Sequence, residues 1–322
     1  MKSSKINIIY FGTPEISAHV LQKISEEKIN IVGVFTRPDS FNGRGKKLLE
    51  SPVKQLSKSL NLPIFEPKSL RNDAIIEQII QLSPDLIIVA AYGLIIPKEI
   101  LDIPRYGVIN IHPSLLPKYR GPSPVASALL NGESITGVSI MMLDEGMDTG
   151  PILAAEKFSI RAEHNTQTLT EELFQIGAKL LVSTIPPWVS GEITPIKQNT
   201  ENATTTKLLT KDDGFVDWGS NCEFIARQIQ AFNPWPSTFT SFSSKRLIIE
   251  KGFSVINPQL SSEHNKNPGY VTQTVLNGEV VTVVVCGEGF LVLTHVKLEG
   301  SSSQDIEDFV RGKPNFIGST LG

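Results

Sequence analysis

With 322 residues, 40% of them hydrophobic and 20% charged, the chain is long enough for two domains with sizeable cores, which excludes disordered and fibrous classes. A formal net charge of -3 excludes a broadly basic nucleic-acid binder, so any polyanion must meet local patches. Two cysteines, Cys222 and Cys286, make neither a disulfide framework nor a metal-spaced pair, no apolar run reaches spanning length, and no signal-peptide core precedes the first strand, so a cytoplasmic protein with no membrane contact is expected.

Short apolar strands alternate with helical patterns through the first half. Strands are predicted at 6–11, 29–35, 86–91, 108–112, 138–142 and 152–155. Helices are predicted at 14–25, 52–60, 72–81, 123–130 and 166–189, the first two with proline near their starts. Such alternation specifies an α/β fold with a doubly wound, mostly parallel sheet. The turn Gly12-Thr13-Pro14-Glu15 lacks the spaced glycines of a dinucleotide fingerprint, which argues against NAD. From 191 to 206 the chain is polar, ends in Thr204-Thr205-Thr206, has no apolar period and reads as a linker. A helix at 221–231 and strands at 238–242, 247–250, 270–274, 280–286 and 290–296 then fit a small β-barrel. The expected division is thus 1–190, a linker at 191–206, and 207–322. Trp188, Trp218 and Trp235 read as packing residues, and the histidines outside the site have no ligand spacing, so no metal is expected.

Asn110 and His112 lie two apart on the strand 108–112 and therefore face the same side, near its carboxyl end, where Pro113 stops the strand. Open α/β sheets place their ligands at such ends. An amide and an imidazole together can donate hydrogen bonds to an oxygen that becomes negative when a carbonyl is attacked, and the imidazole can move a proton. The turn Asp144-Glu145-Gly146-Met147-Asp148-Thr149-Gly150 follows another strand and can bring a carboxylate to the imidazole. Ser114 invites a serine-hydrolase reading, but the glycine-flanked nucleophile elbow is missing.

The words Asn-Ile-His-Pro-Ser-Leu-Leu-Pro (110–117), Tyr119-Arg120-Gly121 and Met147-Asp148-Thr149-Gly150 resemble the folate-dependent formyltransferases. Gly43-Arg44-Gly45-Lys46-Lys47 with Ser51-Pro52-Val53-Lys54, the opening Tyr10-Phe11-Gly12-Thr13-Pro14, and Phe232-Asn233-Pro234-Trp235-Pro236 narrow the resemblance to the methionyl-tRNA formyltransferase family. It covers nearly the whole chain and implies a Rossmann-like formyltransferase domain followed by an OB-like barrel that binds tRNA.

The implied reaction moves a formyl group from 10-formyltetrahydrofolate, a co-substrate, to the α-amine of methionyl initiator tRNA, by a monomer and without metal. Asn110 and a protonated His112 would then stabilise the oxyanion, with Asp148 orienting the ring and favouring its charged form. The resemblance assigns Ser114, Leu115, Leu116 and Pro117 to the folate site, and places Leu86, Tyr92, Met141, Leu143, Asp144 and Gly146 around the pterin. For tRNA, Arg37, Arg44, Lys46, Lys47, Lys54 and Lys58 face only Asp39 and Glu50 across 37–58, and Arg44, Lys46 and Lys47 match the family's phosphate-contacting loop, expected to be ordered by RNA. Composition alone favours a solvated loop there, and the resemblance reverses that preference. Residues 207–322 hold fewer Lys and Arg than Asp and Glu, leaving Lys207, Arg227, Lys245 and Arg246 to line one face. A sibling enzyme formylating a small amine, a formyl-folate hydrolase and a non-catalytic RNA-binding module are the alternatives. The first two would keep the trio without needing the basic loop, and the third would need no trio.

Overall fold

Ile8 and Tyr10 of strand β1 (Asn7–Gly12) enter one apolar core while Ile9 and Phe11 enter another, because successive side chains on a strand leave opposite faces. A strand buried on both faces must lie inside a sheet covered by helices on each side. The computed structural model describes residues 6–27, 29–42, 47–256 and 267–322. Its chain order begins β1, α1 (Glu15–Glu26), β2 (Asn30–Phe35), a small hairpin of β3 (Ser40–Asn42) and β4 (Lys47–Leu49), α2 (Pro52–Ser59), β5 (Ile64–Phe65), α3 (Asp73–Gln81) and β6 (Leu86–Ala90). It continues with α4 (Lys98–Leu101), β7 (Val108–His112), α5 (Pro124–Leu130), β8 (Ile135–Met142), β9 (Ile152–Ser159) and α6 (Thr166–Val189).

Seven of these strands form one sheet in the order β5-β2-β1-β6-β7-β8-β9. The first five are parallel, and β8 runs antiparallel to both β7 and β9. On one face Ile8, Ile88 and Ile109 pack with Leu21 of α1, Val53 of α2 and Leu181 of α6. On the other Ile9, Ile87 and Val108 pack with Ile79 of α3 and Ile100 of α4. Local chemistry starts the helices: the Ser51 hydroxyl accepts from the Lys54 amide at 3.0 Å with Pro52 in the first turn, and the Asn72 side chain accepts from the Ala74 amide at 3.0 Å. The hairpin, β5 and α4 were not expected from periodicity, since elements of two to four residues show no repeat.

The chain divides into two compact units, Met1–Pro124 with Ile135–Ile160 and Thr170–Thr206, and Val125–Ser134 with Arg161–Leu169 and Lys207–Gly322. The second unit ties its early segments to the later chain through Arg227 Nε on the Leu130 carbonyl at 2.9 Å and Gln230 Nε2 on the Ala162 carbonyl at 2.7 Å. It contains α7 (Cys222–Ala231), β10 (Phe239–Phe242), β11 (Lys245–Val255), β12 (Val271–Leu276), β13 (Glu279–Val285) and β14 (Phe290–Leu298). These strands make an antiparallel sheet in the order β10-β11-β14-β13-β12. Register shifts on either side of Lys251 bend the long β11. Ile225 and Ile229 of α7 pack on Leu247, Ile249 and Leu291. Among the described residues no helix is long and apolar enough to cross a membrane.

Ile88 is fully buried in the central strand β6. Ile88→Ala should cost about 2–5 kcal/mol of stability through the cavity it opens, read as a lower urea midpoint.

Candidate active site

Strand β7 presents Val108, Asn110 and His112 on one face, and its register with β8 sets Met141 beside Asn110 and Ser139 beside His112. The Asn110 side chain is half-buried and makes no hydrogen bond among the described residues. His112 is 4% exposed. Its Nε2 lies 2.9 Å from the Tyr119 carbonyl, which can only accept, so this nitrogen carries a proton. The opposite nitrogen, Nδ1, faces Asp148 Oδ2 at 3.6 Å.

Asp148 does not arrive from the carboxyl end of a parallel strand. Because β8 opposes β7, Met142 lies beside Ile109, and the segment after it leaves near the amino end of β7. To reach His112 it must double back over about 10 Å, three residues of strand rise. The turn is built for this: Asp144 Oδ1 accepts from the Gly146 amide at 3.0 Å and the Thr149 hydroxyl at 2.6 Å. Asp148 sits at φ 53°, and its Oδ2 accepts the Gly121 amide at 2.7 Å. Tyr119, whose carbonyl receives the imidazole proton, has φ 60°. Two left-handed non-glycine residues, each costing about 1–3 kcal/mol, therefore hold the two partners of His112. Gly121 has φ 105°, and a Cβ there would meet the Thr206 carbonyl and hydroxyl oxygens at 2.9 Å, so glycine is required.

Burial pushes the His112 imidazole below its ordinary value, outweighing the Asp148 carboxylate and the Tyr119 carbonyl, which push the other way. Desolvation thus acts against the charged ring expected from the sequence, while Asp148 acts for it.

The residues assigned to folate separate on inspection. Leu86 is fully buried at the amino end of β6, away from the strand's ligand-bearing end, and is corrected to a core residue. Ser114 donates its hydroxyl to the Lys118 carbonyl at 2.7 Å, and Ser139 donates to the Ser114 carbonyl at 2.7 Å while accepting the Leu116 amide at 3.1 Å. These bonds shape the 112–118 turn, occupy the serine, and leave the hydrolase reading without a nucleophile. Leu116 is buried, Leu115 is half-buried against Gly137, and the Leu116–Pro117 bond is cis. Tyr92, in the loop after β6, is buried with its hydroxyl unpartnered among the described residues. Met141 is buried beside Asn110, Leu143 is half-buried against the second core, and Asp144 and Gly146 are exposed turn builders. Sequence reasoning missed Ser139, Gln198, Thr204 and Thr206, whose contacts join distant segments and leave no local pattern.

Residues 4–185 match the family described as Formyl transferase, and residues 208–314 match Formyl transferase, C-terminal domain. A methionyl-tRNA formyltransferase from Pseudoalteromonas translucida is 39% identical over 319 residues, covering 98% of each chain. One from Clostridium novyi is 39% identical over 317 residues, covering 98% of this chain and all of its own, 100%. The chain belongs to the methionyl-tRNA formyltransferase family. In fold it is similar to the solved methionyl-tRNA formyltransferase from Clostridium thermocellum, with a TM-score of 0.55 at 19% identity over 88% of this chain and 100% of that one.

Of the family's expected tRNA-contacting positions, Arg44 and Lys46 lie outside the described residues, as does the Lys47 side chain. Two other cations of the 37–58 stretch are already paired: Lys54 Nζ lies 2.7 Å from Asp39 and 3.0 Å from Glu66, and Lys58 binds Glu50. In the second unit Lys207 pairs with Asp213, and Arg246 stacks 3.6 Å over the Phe239 ring. Trp218 is buried and donates to the Thr240 hydroxyl at 3.1 Å, whereas Trp235, expected to pack, is 50% exposed.

A depressed His112 makes stability depend on pH. The unfolded ring protonates near its ordinary value of about 6.5 and the folded ring only below it, so the stability due to the neutral ring is whole above about 6.5 and is lost as pH falls through the folded value. His112→Gln should flatten this dependence in urea titrations between about pH 7 and pH 5, and parallel curves for parent and variant would contradict it.

Proposed function

We propose that this chain transfers a formyl group from 10-formyltetrahydrofolate to the α-amine of methionine on initiator tRNA, supporting translation initiation, with Asn110, His112 and Asp148 as its working groups. The observation that carries this reading is a half-buried amide with no internal partner on the same strand face as a buried neutral imidazole opposed by a carboxylate. That donor set fits formyl transfer. Asn110 supplies a hydrogen bond to the formyl oxygen as it becomes negative, an interaction stronger in the transition state than in the ground state.

The amine must lose a proton as its nitrogen bonds to the formyl carbon, and the donor's nitrogen must gain one as the old carbon–nitrogen bond breaks. His112 serves both needs. With Nε2–H committed to the Tyr119 carbonyl, Nδ1 offers a lone pair, and a proton placed there turns a repulsive contact with Asp148 into an ion pair. Desolvation keeps the resulting imidazolium acidic enough to release that proton again. The books balance with His112 returned to its neutral form.

We assign catalysis to residues 1–190 and tRNA binding to 207–322, joined through 191–206. We take the working form as a monomer, and two buried unpaired cysteines fit the cytoplasm.

Labelled formyl transfer to methionyl initiator tRNA, with an elongator tRNA alongside, tests the reading. Asn110→Ala should lower kcat about a hundredfold to a thousandfold, and His112→Ala about a hundredfold to ten-thousandfold. Donor consumption without labelled tRNA would redirect the assignment to a small amine or to water.

A further inference from the structure

Gln198 lies in the polar stretch that sequence patterning reads as a linker, yet it is only 5% exposed. That stretch is held along the first unit, with Ile196 and Ile152 exchanging backbone hydrogen bonds of 2.8 Å in both directions. The Gln198 amide is fully used. Its oxygen accepts from Arg120 Nε at 2.9 Å, and its nitrogen donates to the Asp148 carbonyl at 2.9 Å and the Gly150 carbonyl at 2.7 Å. One side chain therefore joins the turn carrying the Tyr119 carbonyl and Gly121 amide to the turn carrying the Asp148 carboxylate.

Arg120 is 7% exposed, and one of its terminal nitrogens, Nη2, has no partner among the described residues. Its backbone is held as well, with its amide on the Thr204 carbonyl at 2.9 Å and its carbonyl accepting the Thr206 amide at 2.7 Å. Burying a guanidinium with no carboxylate partner among the described residues costs stability, and an apolar side chain would pack at lower cost, so packing does not account for it. Nor does packing account for left-handed backbones at Tyr119 and Asp148, which persist only where the surroundings over-determine them.

We propose that Gln198, anchored by Arg120, is a positioning residue for formyl transfer: it sets the distance between Asp148 and His112 by locking the 119–121 and 148–150 turns together. This rests on the roles proposed above for His112 and Asp148. The groups facing the ring are the Asp148 carboxylate from one turn, the Tyr119 carbonyl from the other and the uncharged Ser139 from β8, so Asp148 is the charged group whose withdrawal the ring would register.

The test uses the full chain with Gln198→Met, which keeps length but cannot hydrogen-bond, and Gln198→Asn, which keeps the amide but is one methylene too short to reach both turns. His112 is titrated by NMR, its ring signal assigned with His112→Gln, and kcat and KM are measured for both substrates. Because Asp148 raises the proton affinity of the ring, both variants should titrate at lower pH than the parent, by about threefold or more in affinity. The value of kcat should fall about tenfold to a hundredfold with each KM within about twofold, as expected for a small misplacement of reacting groups. An unchanged His112 titration in the folded variants, or a loss confined to thermal stability, overturns the proposal. A shifted titration alongside full transfer by His112→Gln would uphold the clamp and sink the catalytic reading instead.

Discussion

Antiparallel hydrogen bonding of β8 against β7 sets Ser139 beside His112 and Met141 beside Asn110, and the rest of the site follows from the direction it imposes on the chain. Had β8 joined in parallel, the turn after it would emerge beside the carboxyl end of β7 with no need to return. In the observed sense the carboxylate must travel back along the strand, which is why Asp144, Gly146, Thr149 and Gly150 are spent on a tight, internally bonded turn. Gly150 is part of that geometry, since a Cβ there would lie 1.9 Å from the Met142 carbonyl. Ser139 ties the same strand to the 114–116 turn, so one pairing organises both loops that frame His112.

The site is held at some cost to stability. A buried imidazole, two left-handed non-glycine residues and an incompletely satisfied buried guanidinium all oppose folding. At about 1–3 kcal/mol for each strained residue, the strain alone is a large fraction of the 5–15 kcal/mol or so by which a domain is stable. What offsets it is the doubly covered sheet: Ile8, Ile88 and Ile109 on one face and Ile9, Ile87 and Val108 on the other anchor the strands from which these turns depart. Desolvation by the same packing lowers the proton affinity of His112.

The cations of the described residues tell a different story from their sequence count. Lys54, Lys58 and Lys207 each engage a carboxylate, Arg37 donates to the Gly93 carbonyl at 3.1 Å, and Arg227 and Arg246 are occupied locally. Net excess along a stretch of chain is therefore a poor measure of the charge available to a polyanion. Glu66, which pairs with Lys54, lies eight residues beyond the basic 37–58 stretch. Lys54 also lies 2.7 Å from Asp39 and 3.9 Å from Glu50, the residues that flank β3 and β4.

Period and punctuation determined six of the seven strands of the sheet, its flanking helices apart from the short α4, and the shared face of Asn110 and His112, while the family was legible in its sequence words. Those features are local: alternation on a strand, a cap before a helix, a proline after a strand end, all readable within a few residues. Only the tertiary structure decided that β8 turns back, that Leu86 is core, that Ser114 is occupied by its own turn, and that residues 191–206 supply Gln198 to the site. It also decided the direction in which the proton affinity of His112 moves, because desolvation depends on everything that surrounds the ring while the neighbouring carboxylate is one group among many. Contacts between residues fifty to eighty positions apart, such as Gln198 with Asp148 and Arg120, carry no periodic trace in the chain, and a site assembled from them becomes visible only once the sheet has brought them together.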